Sequence, residues 1–113
     1  MIRFTGLLAL TACLTFGLAA GSKTGGGKAA ADAAKGKETF EQCAVCHNVD
    51  NPDKKMGPSL QGLFKKKTLQ SGKPVTDANV LAQINVGGNG MPGYADMLSA
   101  DEKANLMAYL HTL

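Results

Sequence analysis

The sequence predicts an all-α domain of three to five helices joined by long loops. Three observations predict it. The apolar residues that recur do so at helical spacing, as in Val80, Leu81 and Ile84 or in Leu106, Tyr109, Leu110 and Leu113. Residues suited to helix N-caps stand just before such stretches: Asp32, Thr76 and Ser99. No segment alternates apolar and polar side chains as a half-buried strand does, and Gly- and Pro-rich segments separate the periodic ones.

Residues 1–20 read as a signal peptide. Arg3 is followed by an uncharged run from Phe4 to Ala20, which ends in Leu18-Ala19-Ala20. Two further readings stand beside it. Leu10-Thr11-Ala12-Cys13 resembles a lipobox, which would make Cys13 a lipidated N-terminus. The run can also stay as an uncleaved anchor, although it is shorter than the ~20 residues of a spanning helix. All three export the domain, so a periplasmic location is expected, either free or tethered to the membrane. Residues 21–31 hold Gly, Ala, Ser, Thr and Lys with little to bury, and are expected to be a flexible linker.

The folded domain is expected over residues 32–113. Asp32 caps a helix from Ala33 to about Gln42, with Gly36 and Phe40 on one face. A loop follows over Asn48–Lys55, marked by Asn51-Pro52-Asp53. Leu60, Leu63 and Phe64 suggest a short helix after Pro58, and Lys65–Val75 reads as a polar loop. Thr76 or Asp77 starts a second clear helix that Gly87-Gly88 ends. Asn89–Met97 is loop. Ser99 and Glu102 form a capping box for the last helix, Ala100 to about Thr112.

The 113 residues allow one domain. Only 5% are aromatic and none is Trp, so the core is poor in large side chains and suits completion by a bulky apolar group. The net charge of +3 is too mild to argue for nucleic acid. Its distribution is uneven: Lys54, Lys55, Lys65, Lys66, Lys67 and Lys73 fall in a stretch without an acid. Such a patch suits an acidic-surfaced partner, and it equally suits a solvated loop region.

Of the three cysteines, Cys13 lies in the leader, which leaves Cys43-Ala44-Val45-Cys46-His47. The C-x-x-C-H spacing is a c-type haem attachment pattern. Two thiols three positions apart on one helical turn can each add across a haem vinyl group. The next residue, His47, then offers an imidazole to the iron. A redox dithiol of thioredoxin type wants a preceding strand, and none is predicted. A zinc site needs four ligands, and beyond these three only the distant His111 is available. Gly88-Asn89-Gly90-Met91-Pro92-Gly93 matches G-x-G-x-x-G, but a helix precedes it and Pro92 interrupts it, so no dinucleotide site is expected.

From about Ala33 to Leu113 the chain resembles the class I cytochrome c family. The resemblance rests on the C-x-x-C-H motif after a helix with Gly36 and Phe40, on Gly57-Pro58-x-Leu60, on Met91-Pro92 before the last helix, and on Leu106-x-x-Tyr109-Leu110 within it. It implies a cytochrome c fold wrapped around one covalently bound haem c. It also implies that Gly36 and Phe40 meet Tyr109 and Leu110 where the first and last helices cross. It assigns Met91, rather than Met1, Met56, Met97 or Met107, as the second axial ligand opposite His47. By the same resemblance, Pro58 offers its carbonyl to the free ring nitrogen of His47, and Leu60 packs on the haem. Tyr94 is given no role, and His111 is expected to be exposed at a helix end.

With both axial positions filled, the implied function is single-electron transfer between periplasmic or membrane redox partners by a monomer, with no enzymatic activity. Two alternatives stay open on the sequence. One is a haem-based enzyme or gas sensor with an open sixth position. The other is a dedicated cytochrome subunit of a dehydrogenase.

Overall fold

The computed structural model describes residues 30–113. The expected signal peptide, Cys13 and almost all of the expected linker therefore lie outside the described residues. Three α-helices and one short 3-10 turn make up the fold: α1 (Ala33–Phe40), the 3-10 turn Leu63–Lys65, α2 (Asp77–Val86) and α3 (Ala100–Leu110). Among the described residues there is no strand, only isolated bridges between Thr68 and Pro74 and between Gly88 and Met91. No described helix is long and apolar enough to cross a membrane.

The caps act where the sequence places them. The Asp32 carboxylate accepts the N–H groups of Ala34 (2.8 Å) and Lys35 (3.3 Å). Thr76 Oγ1 accepts from Asn79 N–H at 3.2 Å. Ser99 and Glu102 close a reciprocal capping box, with Glu102 N–H on Ser99 Oγ (3.1 Å) and Ser99 N–H on Glu102 Oε2 (2.8 Å). The expected short helix after Pro58 is there as a 3-10 turn. Gly62 enters it at φ +61° and Lys66 leaves it extended, so there is no room for a full α-turn.

α1 and α3 pack directly on each other, whereas α2 touches α3 only lightly. Gly36 is buried at the crossing, and a Cβ there would overlap the carbonyl oxygen of Asn105. Phe40 and Tyr109 meet with ring centroids 5.3 Å apart and planes tilted by 55°. Asn105 also accepts the N–H of Asp32 at 2.8 Å, which fastens the start of α1 to the middle of α3. The core gathers Phe40, Leu63, Val80, Ile84, Tyr94, Leu98, Leu106 and Leu110 in one cluster, with Leu106 the most buried.

His111 is exposed at the end of α3, as expected, but it does more than ease the helix terminus. Its ring stacks on Phe64 with centroids 3.6 Å apart, and Nε2 lies 2.6 Å from Asp77 Oδ1 at the start of α2. One side chain thus joins α3, the 3-10 turn and α2.

The helix crossing tolerates no added atom at Gly36. Gly36→Ala is expected to lower the unfolding free energy by about 1–3 kcal/mol or more through overpacking, read as a lower denaturant midpoint.

Candidate functional site

α1 stops at Phe40, but the chain keeps coiling. The N–H groups of Cys43 (2.7 Å) and Ala44 (3.0 Å) both donate to the Phe40 carbonyl. Those of Cys46 and His47 both donate to the Cys43 carbonyl at 3.0 Å. These tight turns set Cys43, Cys46 and His47 along a single cleft of about 440 Å³. That volume lies within the range of about 300–1,000 Å³ common to small-molecule and cofactor sites.

His47 is held rather than merely present. Its Nδ1 lies 2.7 Å from the Pro58 carbonyl oxygen. A carbonyl can only accept, so Nδ1 carries the proton and Nε2 keeps its lone pair. Gly57 lies against the ring: a Cβ at that position would stand 2.5 Å from His47 Cε1. Gly57 N–H donates to the Cys46 carbonyl (2.9 Å) and Leu60 N–H to that of Asn48 (2.8 Å), which ties residues 57–60 to the cysteine turn. Lys55 Nζ takes the carbonyl of Ala44, between the two cysteines, at 3.0 Å.

Cys43 and Cys46 are both free thiols. Burial pushes the Cys43 thiol up from its ordinary value, and the neighbouring Cys46 adds to the shift. Cys43 is therefore neutral and fits an apolar surrounding.

α2 and the loop after it supply another part of the lining. Val80, Gln83 and Ile84 come from α2, and Met91 and Tyr94 come from the loop. Gly87 (φ +68°), Gly88 (φ +123°), Asn89 (φ +53°) and Gly90 (φ +87°) run in succession through positive φ. That backbone path favours glycine, and at Gly87 a Cβ would also overlap the Met91 carbonyl. Gly88 and Met91 close the loop by exchanging N–H···O bonds of 2.9 and 3.0 Å. Tyr94 N–H then returns the chain to α2 by donating to the Ile84 carbonyl at 2.9 Å.

All six residues singled out in the sequence line this one cleft: Cys43, Cys46, His47, Pro58, Leu60 and Met91. Met56 lines it too, at the rim: it is 79% exposed, and its sulfur lies 4.0 Å from Cys46 Sγ. Met97 is exposed and Met107 packs against the core. The glycine-rich match follows α2 rather than a strand, as expected of an accidental one. Among the described residues no group of three or more His, Cys, Asp or Glu is placed to hold a metal ion.

Tyr94 carried no sequence expectation, yet it is 7% exposed and belongs to both the core and the cleft. Leu98, four residues on, is equally buried, and its N–H donates to the Tyr94 carbonyl at 3.3 Å. That i, i+4 apolar pair was the available signal. Burial pushes the Tyr94 phenol up, with smaller contributions from Cys43 and then Cys46, so it stays protonated as a donor.

The lining is mostly apolar, with two thiols, an imidazole whose Nδ1 is engaged by Pro58 and the thioethers of Met56 and Met91. That donor set fits a large apolar cofactor with a soft metal centre. Gly57 is the tightest point. Gly57→Ala is expected to displace the His47 ring, break its bond to Pro58 and cost about 1–3 kcal/mol. The checks are the His47 ring resonances and the unfolding midpoint.

Comparisons with known proteins agree on one family. The family model described as "Cytochrome C oxidase, cbb3-type, subunit III" matches residues 31–110. Cytochrome c2 of Blastochloris viridis is 41% identical over 68 residues, which cover 58% of this chain and 54% of that protein. Cytochrome c6 of Diacronema lutheri is 31% identical over 80 residues, covering 70% of this chain and 93% of that protein. The chain thus spans about half the length of the first relative and nearly all of the second. The crystal structure of cytochrome c6 from the diatom Phaeodactylum tricornutum superposes with a TM-score of 0.56 at 27% identity, covering 72% of this chain and 92% of that one. With this fold, this cleft and these relatives, the chain belongs to the class I c-type cytochromes, small domains that carry one covalently bound haem c.

Proposed function

We propose that the domain is a single-electron carrier. In this reading Cys43 and Cys46 would hold one haem c through thioether bonds, and Nε2 of His47 and the sulfur of Met91 would be the side-chain donors to its iron. The observation that carries it is the meeting, in one cleft, of both thiols, an imidazole whose other nitrogen is already engaged by Pro58, and a loop methionine.

When bound, the haem supplies a one-electron iron couple. The chain supplies the rest. Pro58 fixes the His47 tautomer and keeps the ring basic toward a metal. Met91 contributes a soft thioether, which favours the reduced metal over what a second imidazole would give. Leu60, Leu63, Val80 and Ile84 exclude water, so little solvent reorganises as charge changes. Two protein ligands leave no place for a substrate at the metal, which supports electron transfer over oxygen or peroxide chemistry.

The lysine stretch supports docking to an acidic-surfaced redox partner, and two of its lysines also bond to the backbone. Lys55 bonds to the Ala44 carbonyl, and Lys66 bonds to that of Ser59 at 2.6 Å. Lys54, Lys65, Lys67 and Lys73 are all exposed, and in this reading they are the cations that meet the partner. Residues 1–20 support a location outside the cytoplasm, in this reading as a cleaved signal, a lipid-anchored N-terminus at Cys13 or a retained anchor.

Mass spectrometry of the protein matured in a host that assembles c-type haem is expected to show one added haem, and it reads the N-terminus and any lipid at once. A Cys43→Ala/Cys46→Ala double variant is expected to carry none and to lose cooperative unfolding. In the oxidised wild type, the sulfur-to-iron charge-transfer band should be present, and Met91→Ala should abolish it and open the metal to CO. A high-spin, CO-binding wild type would overturn the Met91 assignment. Electron transfer to an acidic partner should slow several-fold as ionic strength rises to about 0.5 M, since the Debye length falls well below ~10 Å.

A further inference from the structure

Ser59 is only 7% exposed, an unusual place for a hydroxyl side chain. Pro58 and Leu60 on either side of it line the cleft, and Ser59 does not. Its hydroxyl and carbonyl are nonetheless engaged. Oγ donates to the Asn51 carbonyl at 2.5 Å, with the Asn48 carbonyl also near at 3.5 Å. Oγ accepts the Gln61 N–H at 3.2 Å, and the Ser59 carbonyl accepts Lys66 Nζ at 2.6 Å.

These bonds close a ring through the site. One side of the ring is the chain from His47 to Asn51, and the other is Pro58-Ser59. The His47–Pro58 bond joins them at one end (2.7 Å), and the Ser59–Asn51 bond joins them at the other. Leu60 N–H, on the Asn48 carbonyl at 2.8 Å, ties the same two segments again. The acceptor that fixes the His47 ring therefore belongs to the Pro58–Ser59 peptide, and the Ser59 hydroxyl anchors the far side of that peptide. A hydrogen bond weakens steeply with length and misalignment. A peptide free to tilt would offer His47 a longer and poorer bond.

We propose that Ser59 is a positioning residue for the redox centre, acting through the Pro58 carbonyl to set the strength of the hydrogen bond that His47 donates. The inference rests on the reading of His47 as a ligand to the haem iron. A strong acceptor for Nδ1–H raises the basicity of Nε2. A more basic ligand stabilises the oxidised metal more than the reduced one, because the oxidised metal carries the greater charge. Ser59 thus holds the couple toward the oxidised form, and its loss moves the couple toward the reduced form.

The test is Ser59→Ala in the holoprotein. Ser59→Thr keeps the hydroxyl, and Thr76→Ala removes only the cap of α2. Ser59→Ala is expected to move the one-electron equilibrium with a reference couple about twofold to fivefold toward the reduced form, less than the roughly 10–100-fold effect of losing an outer-shell partner itself. The His47 Nδ1 proton should also exchange faster with solvent. Ser59→Thr should restore both readings, and Thr76→Ala should lower the unfolding midpoint alone. A Ser59→Ala holoprotein with a lower midpoint but an unmoved equilibrium and proton would make Ser59 purely structural and overturn the proposal. The wild type supplies a reading that needs no variant. As denaturant is added, the Gln61 N–H and the His47 Nδ1 proton should become exchangeable together, in one local opening. Separate openings overturn the proposal even where Ser59→Ala does not mature. A wild type that takes up no haem overturns the haem reading and this inference together, whereas the other outcomes bear on Ser59 alone.

Discussion

The crossing of α1 on α3 is the contact on which the rest of the molecule depends. Two helices can approach this closely only where one of them lacks a side chain, and Gly36 provides that gap against the backbone of Asn105. The approach brings Phe40 onto Tyr109 and seats the last residue of α1 in the core. Everything at the site is measured from that residue. The Phe40 carbonyl receives Cys43 and Ala44, and the Cys43 carbonyl receives Cys46 and His47. A shift of α1 along α3 would carry the thiols and the imidazole with it, away from Gly57 and Pro58. The helix crossing is thus a positioning device as much as a packing contact.

What the sequence reveals of this arrangement is what local physics decides. The three helices and their caps are legible because capping needs only residues within a turn, as with Ser99 and Glu102 or Asp32 and Ala34. The attachment motif is legible because its chemistry demands adjacent residues. The short helix expected after Pro58 is there as a 3-10 helix over Leu63–Lys65, entered through the left-handed backbone of Gly62. Tyr94 and Leu98 are signalled only by their i, i+4 spacing, because they lie outside the helices and burial there is set by what the chain folds against. The clasp of His111 on Asp77 and Phe64 joins residues far apart in sequence, and no spacing announces it.

The lysine-rich stretch shows the same division between composition and structure. Composition gives a block of positive charge and nothing about its use. In the fold, Lys55 and Lys66 donate to backbone carbonyls of the cysteine turn and of the segment after Pro58. Each ammonium satisfies an acceptor in an irregular stretch that no helix or sheet could supply. Two members of the block therefore brace the wall of the cleft. A bond to a neutral carbonyl leaves each ammonium charged, so both still add to the field that a partner meets.

Core and cleft are largely the same surface. Leu63, Val80, Ile84, Tyr94 and Leu110 belong to the buried cluster, and each also lines the cleft. A domain within a chain of 113 residues, only 5% of them aromatic, has little apolar area to bury against itself. Filling the cleft with a large apolar group gives those side chains a second face to pack on. Binding and folding then draw on one set of contacts, and a ligand held covalently cannot be lost by dilution. This explains why core aliphatics reappear in the lining, alongside the two thiols, the imidazole and the thioether that chemistry requires there.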